Sequence, residues 1–310
     1  MRILIVGAGS TGGYFGGRLV AAGRDVTFLV RLARAAQLRT RGLEIRSPSG
    51  DLSLQPKLVT ADAIDGPYDA ILLTVKGFAL DAALGDIAPA VGPETMILPV
   101  LNGMRHVDAI QARFGREALV GCVCKVATTL DDDGRILHLT KLQELAYGEM
   151  TGERSARIDR LDQSLRGAGF DARLSLSIEQ DMWEKWTMLA TLGAVTCLAR
   201  GNVGEIEAVP GGTDYARAVL AEVVAVVSAE GHPPGADCVA AASAMITQPG
   251  SPAATSMYRD LTGGLPVEVE PILGDLLGRA QRRHVKTPLL AAAVVTLTIH
   301  QNRVLAGQVS

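Results

Sequence analysis

The chain has 310 residues, 48% of them hydrophobic and 20% charged, with a formal net charge of −3. That is apolar material for a sizeable core in two domains or one large one, and no run of like charge points to nucleic acid or to an anionic membrane surface. The apolar start breaks at a glycine cluster with no basic lead or cleavage site, and no stretch approaches the roughly 18 uninterrupted apolar residues of a membrane span, so a cytoplasmic protein without membrane attachment is expected.

The first half alternates short apolar runs with helix-like stretches. Residues 2–6 read as a strand, 11–22 as a helix closed by Gly23, 25–30 as a second strand, and 70–75 and 95–101 as two more. These runs do not alternate, so the strands are expected to be covered on both faces, as in a parallel sheet of right-handed βαβ units. From residue 118 to about 175 the pattern is richer in strand, with "GRILHLT" and "ELAYGE" as candidates. Beyond residue 176, Ala, Leu, Val and Met recur with helical period, broken by loops at 201–202, 210–212, 232–234 and 248–252. The expected organisation is an α/β Rossmann-type domain over residues 1–176 and an all-α domain over 177–310. The apolar helix surface of the second part is compatible with a homodimer.

The turn after the first strand carries Gly7, Gly9 and Gly12 as G-x-G-x-x-G. In a chain with 34 glycines the pattern alone says little. Its place between a strand and a helix, at the start of a βαβ unit, is what points to a dinucleotide. The first glycine allows a tight turn, the second admits a pyrophosphate to the backbone, and the third lets helix and strand close up. Gly7, Ala8, Gly9, Ser10, Thr11 and Gly12 are therefore candidate cofactor-binding positions. The helix N-terminus there offers N–H groups and a positive partial charge.

The second strand ends in Val30 and Arg31, where an NAD-binding fold usually carries an acidic residue for the ribose 2′-hydroxyl. A guanidinium at that place suits a 2′-phosphate, so NADP(H) is the expected cofactor. Lys76 closes "ILLTVK" and Asn102 follows "ILPVL". Both stand at the carboxyl ends of strands, where open α/β sheets bind ligands. On position alone each reads equally as a surface lysine and a turn-forming Asn-Gly.

The second part opens with "SIEQDMWEKWTMLATLGAVTCLAR". Ser177 and Gln180 have the spacing of a capping box. At about 3.6 residues per turn, Met182, Lys185, Trp186, Leu189, Gly193 and Thr196 share a face, which puts Lys185 on an apolar stripe. It is either a lysine snorkelling from the margin or an ammonium held in a cleft between the domains. In a cleft it loses its proton more easily than in water and suits general acid work. The four cysteines and five histidines form no CxxC, zinc spacing or HExxH, so neither a metal site nor a disulfide framework is expected.

Together these residues make the chain similar to the ketopantoate reductase (2-dehydropantoate 2-reductase) family over nearly its whole length. The resemblance rests on "ILIVGAGSTGGYFGGRL", the Arg after the second strand, "LLTVK", "LNG", "WEKW", "TSMYRDLTGGLPVEVE" and "RRHVKTP", in that order. It implies a Rossmann-type domain followed by a helical domain like that of 6-phosphogluconate dehydrogenase. It implies hydride transfer from NADPH to the keto carbon of a small 2-oxo acid, a step of pantothenate biosynthesis when that acid is 2-dehydropantoate. Lys185 is then the proton donor, Lys76 and Asn102 contact the cofactor, and Asn102, Lys185 and Ser256 contact the substrate. Glu268 is the second catalytic residue, assisting at the cofactor end. From the residues alone, Ser256 reads equally as a helix N-cap and Glu268 as a solvated helix residue.

One departure stands out. The family commonly has asparagines four and eight residues after the lysine and a third ten beyond those, where this chain has Leu189, Gly193 and Val203. A more apolar pocket follows, with a less polar 2-oxo acid as the alternative substrate. A non-catalytic NADP(H)-binding sensor, the remaining alternative, needs neither Lys185 nor Glu268.

Overall fold

The computed structural model describes residues 1–307. The chain forms two compact units: Met1–Leu101 with His106–Glu179, and Asn102–Arg105 with the chain from Gln180 onward. Up to Glu179 the elements are β1 (Arg2–Val6), α1 (Ser10–Ala21), β2 (Asp25–Leu29), α2 (Leu32–Arg41), β3 (Leu43–Arg46), β4 (Leu52–Leu54), β5 (Lys57–Val59), β6 (Ala70–Leu73), α3 (Leu80–Asp86), β7 (Met96–Pro99), α4 (Arg105–Phe114), β8 (Val120–Leu130), β9 (Ile136–Glu149), α5 (Ala156–Leu165) and β10 (Asp171–Leu174).

Five parallel strands make the first sheet, in the order β5-β2-β1-β6-β7, with Ile3 between Val26 and Ala70. The side chains of β6 and β7 are buried on both faces, as unbroken apolar runs require. Strand order reverses between β1 and β6, so the glycine turn after β1 stands at the switch point where such sheets bind ligands.

A second sheet runs β10-β9-β3-β4, with β8 paired to β9. The two candidate strands "GRILHLT" and "ELAYGE" are one strand, β9, of 14 residues. The apolar pattern breaks at residues 139–142 because the ladder is irregular there: Val126 pairs with Gln143 but Thr128 with His138. Buried His138 spans the irregularity, with Nε2 3.1 Å from Leu142 O and Nδ1 2.8 Å from Ser47 Oγ. Helix α1 packs against both sheets. A Cβ at Gly16 would stand 2.5 Å from the Phe28 ring, and one at Gly17 2.9 Å from Ile45 Cδ1, so glycine brings each sheet onto the helix.

The second unit is helical: α6 (Ile178–Ala199), α7 (Val203–Glu207), α8 (Gly212–Ala229), α9 (Ala236–Ile246), α10 (Ser256–Thr262), α11 (Asp275–Arg282) and α12 (Pro288–Leu305). A π-turn, Glu270–Gly274, leads directly into α11. Helix α6 is buried beyond the single stripe expected, with Trp183, Ala190, Ala194 and Cys197 as enclosed as Trp186, which marks it as a core helix. On it close Tyr215 of α8, whose hydroxyl donates to Val195 O at 3.1 Å, and Met257 of α10, packed at Gly193. At its start the Ser177 N–H donates to Ser175 Oγ, and the Gln180 amide donates to Glu184 Oε1 and Pro233 O. Among the described residues no helix is long and apolar enough to cross a membrane.

Candidate functional site

In the first unit the candidate cofactor residues gather at the carboxyl end of β1. Gly7, at φ +96°, makes a turn that strains an L side chain, and its N–H donates to Leu29 O at 3.0 Å. A Cβ at Gly12 would overlap Gly7 O and Thr74 Oγ1. The Thr74 hydroxyl, just past β6, donates to Val6 O at 2.8 Å and Gly7 O at 3.0 Å, tying the glycine turn to the neighbouring strand. Gly9 is the N-cap of α1, and a Cβ there would meet nothing within 4 Å. The loop is thus open at Gly9 and closed at Gly12. It leads into the first N–H groups of a helix, which have no intrahelical acceptor, and this arrangement fits a pyrophosphate.

From the other side, Arg34 Nε donates to Ala8 O at 3.0 Å and Nη2 to Gly134 O at 3.2 Å. Neither Thr74 nor Arg34 stood out in the sequence; the threonine's one signal was a polar side chain closing an apolar strand in "ILLTVK". Arg31 is the exposed N-cap residue of α2. Lys76 is exposed and precedes a short 3-10 turn, Gly77–Ala79.

In the second unit, Lys185 Nζ donates to Asn102 Oδ1 at 3.0 Å. These residues, 83 apart in the chain, are brought together although position alone left both open. Glu268 is half-buried, two residues ahead of the π-turn. Ser256 is the exposed first residue of α10, and Thr255 is the cap, its Oγ1 accepting from Tyr258 N at 3.2 Å. The start of α10 docks on α6 at Gly193, about 12 Å along the helix from Lys185.

Of the three positions where the family commonly has asparagine, Leu189 is half-buried and Val203 fully buried. A Cβ at Gly193 would lie 2.9 Å from Met257 Cε. Val203 N donates to Ala253 O at 3.1 Å, and Asn202 is engaged in a capping box with Glu205. Burial pushes the Cys197 thiol up to about 12, so no thiolate forms there near neutral pH. Among the described residues no group of three His, Cys, Asp or Glu is arranged to hold a metal ion.

The model of the ketopantoate reductase PanE/ApbA family matches residues 3–152, and that of the family's C-terminal part matches residues 177–301. The "Uncharacterized oxidoreductase YkpB" of Bacillus subtilis strain 168 is 34% identical over 301 residues, 97% of this chain and 99% of that one. A 2-dehydropantoate 2-reductase from Geobacter metallireducens GS-15, known from its crystal structure, is 28% identical and superposes with a TM-score of 0.85 over 96% of this chain and 99% of that one. The same fold is found in a D-mandelate dehydrogenase solved with NADH and anilino(oxo)acetate, at 20% identity and a TM-score of 0.87 over 98% and 100% of the two chains.

Proposed function

Because the chain belongs to the ketopantoate reductase family, we propose that it reduces a small 2-oxo acid, in the first instance 2-dehydropantoate, to the 2-hydroxy acid with NADPH. As a family member it is an oxidoreductase dependent on a nicotinamide dinucleotide. The observation that carries the reading is the hydrogen bond of 3.0 Å from Lys185 Nζ to Asn102 Oδ1.

When bound, the reduced nicotinamide supplies the hydride. Hydride addition to a ketone leaves negative charge on its oxygen. The Lys185 ammonium stabilises that charge and gives its proton to it, leaving a neutral amine and the alcohol. Asn102 steadies the ammonium through Oδ1 and keeps its own N–H groups for a ligand. Ser256, which Thr255 relieves of capping, offers an exposed hydroxyl to the substrate carboxylate. Glu268 orients the reacting groups. Residues 7–12 hold the pyrophosphate, Lys76 contacts the cofactor, and the Arg31 guanidinium grips the 2′-phosphate, with no carboxylate at the end of β2 to repel it.

A second reading, a less polar 2-oxo acid, is favoured by the packing of Met257 at Gly193 and the full burial of Val203. A buried substrate hydroxyl without a partner loses its bonds to water, whereas an apolar group in the same space gains roughly 25 cal/mol per Å² buried. The test is NADPH oxidation, followed by absorbance, against a panel of 2-oxo acids. A kcat/KM for 2-dehydropantoate above every apolar acid supports the first reading. Turnover of apolar acids alone supports the second, and NADPH binding without turnover overturns both.

A further inference from the structure

The chain neighbours of Asn102 and Lys185 both touch one further element. Gly103, at φ +82°, lies so close to Pro271 that a Cβ would overlap Pro271 O and stand 3.1 Å from its carbonyl carbon. Trp186 Nε1 donates to Ile272 O at 2.8 Å. Pro271 and Ile272 both belong to the π-turn Glu270–Gly274, which begins two residues after Glu268.

The turn has a local cause. Pro271 supplies no N–H to the helix, and the Asp275 N–H reaches back five residues, to Glu270 O. The turn departs from the regular i→i−4 ladder, and within it the carbonyl of Ile272 accepts the Trp186 indole N–H. Trp186 is itself fixed. It is 1% exposed, its ring centre lies 5.3 Å from that of Trp183, and the Arg279 guanidinium stands 5.6 Å from it. Arg279 is held in turn by Asp275 at 3.1 Å and Glu230 at 2.9 Å. Adjacent residues of a helix point about 100° apart, so while Lys185 faces Asn102 its neighbour can be anchored elsewhere.

We propose that Trp186 is a positioning residue: with Gly103 it fastens the π-turn to the pair of Lys185 and Asn102, and so sets where the Glu268 carboxylate stands relative to the Lys185 ammonium. The proposal rests on the roles of Lys185 and Glu268 given under Proposed function. The indole has no surface for substrate or cofactor and acts through the backbone it holds.

The test compares wild type, Trp186→Phe, Gly103→Ala, the double variant and Lys185→Ala, by steady-state NADPH oxidation with the best 2-oxo acid and by NADPH titration. A misplacement of about 1 Å costs roughly a hundredfold in rate. Trp186→Phe and Gly103→Ala should therefore each lower kcat by about 10- to 100-fold, displace the kcat pH profile, and leave the NADPH dissociation constant within about twofold. The double variant should lose less than the product of the two effects, since both loosen the same turn. If Trp186→Phe does not fold, incorporation of benzothienylalanine at position 186, which keeps the bicyclic shape and lacks the N–H, takes its place. A Lys185→Ala variant that is impaired, beside Trp186→Phe and Gly103→Ala variants that melt lower but keep wild-type kcat and pH profile, overturns the positioning role alone. A Lys185→Ala variant with wild-type kcat overturns the reading of the site, and the proposal with it.

Discussion

Two alanine substitutions a few residues apart in the glycine turn should have opposite signatures. At Gly9 the backbone has φ −79° and ψ −163°, accessible to any residue, and a Cβ would point into open space. Alanine is a poorer N-cap than glycine by up to ~1 kcal/mol, and it restricts the unfolded chain in its favour by about 0.4–1 kcal/mol. Gly9→Ala should therefore melt within a few degrees of wild type. In the proposed binding mode the new methyl group stands where the pyrophosphate would approach the helix N-terminus. Losing one charge-assisted hydrogen bond there costs about 1.5–3 kcal/mol, or roughly 10- to 100-fold in NADPH affinity. At Gly12 the obstacles are a backbone carbonyl and a hydroxyl held by bonds of 2.8 and 3.0 Å, and neither can swing aside. Overpacking of this kind costs about 1–3 kcal/mol, a fall of roughly 3–10 °C in melting temperature, with NADPH binding lost as well. Thermal unfolding by circular dichroism and fluorescence titration with NADPH separate the two cases. A Gly9→Ala protein with wild-type NADPH affinity would refute the pyrophosphate assignment, and a Gly12→Ala protein that melts like wild type would refute the close-approach argument.

Arg31→Ala should weaken NADPH binding far more than NADH binding; equal losses in parallel titrations would mean that the guanidinium does not hold the 2′-phosphate. Lys185→Ala should lower kcat by ~10²–10⁴-fold with NADPH affinity nearly intact, and a variant within about threefold of wild type contradicts the proton-donor role. Burial pushes the Glu230 carboxyl up, but hydrogen bonds from Arg283 and Arg279 more than offset it and hold it below its ordinary value. A depressed pKa stabilises the fold above the ordinary carboxylate value and stops doing so as pH falls through the folded value. Glu230→Gln should thus cost about 1–3 kcal/mol near neutral pH, and urea titrations should show the gap to wild type narrowing under acid conditions.

What was legible in the sequence follows local spacing. Gly7, Gly9 and Gly12 are confined to six positions, and the apolar runs at 2–6, 70–75 and 95–101 announce strands covered on both faces, which form over Arg2–Val6, Ala70–Leu73 and Met96–Pro99. What was hidden joins distant residues. Trp186 meets Ile272 across 86 positions and Lys185 meets Asn102 across 83; no periodicity carries information over that span. Strand β9 was misread because its exposed middle resembles a loop, and the side chain that bridges it, His138, reaches Ser47, just past β3. The cap of α10 fell on Thr255 because two hydroxyls stand side by side there, and spacing does not choose between them.

Helix α1 also bears on how the protein is made. Four of its 12 residues are glycine, which sets its intrinsic helicity about 4 kcal/mol below an alanine helix, so the segment is not helical by itself. Its partners arrive late. Phe28 and Ile5 are near in the chain, but a Cβ at Gly13 would meet Ile136, which leaves the ribosome more than a hundred residues afterwards. At ~5–20 residues per second the delay is on the order of ten seconds. The segment that carries the proposed pyrophosphate-binding turn is thus synthesised well before the strand that secures it. Nascent chains halted before Val120 should leave the amides of α1 open to hydrogen exchange, and chains halted well past Glu149 should protect them.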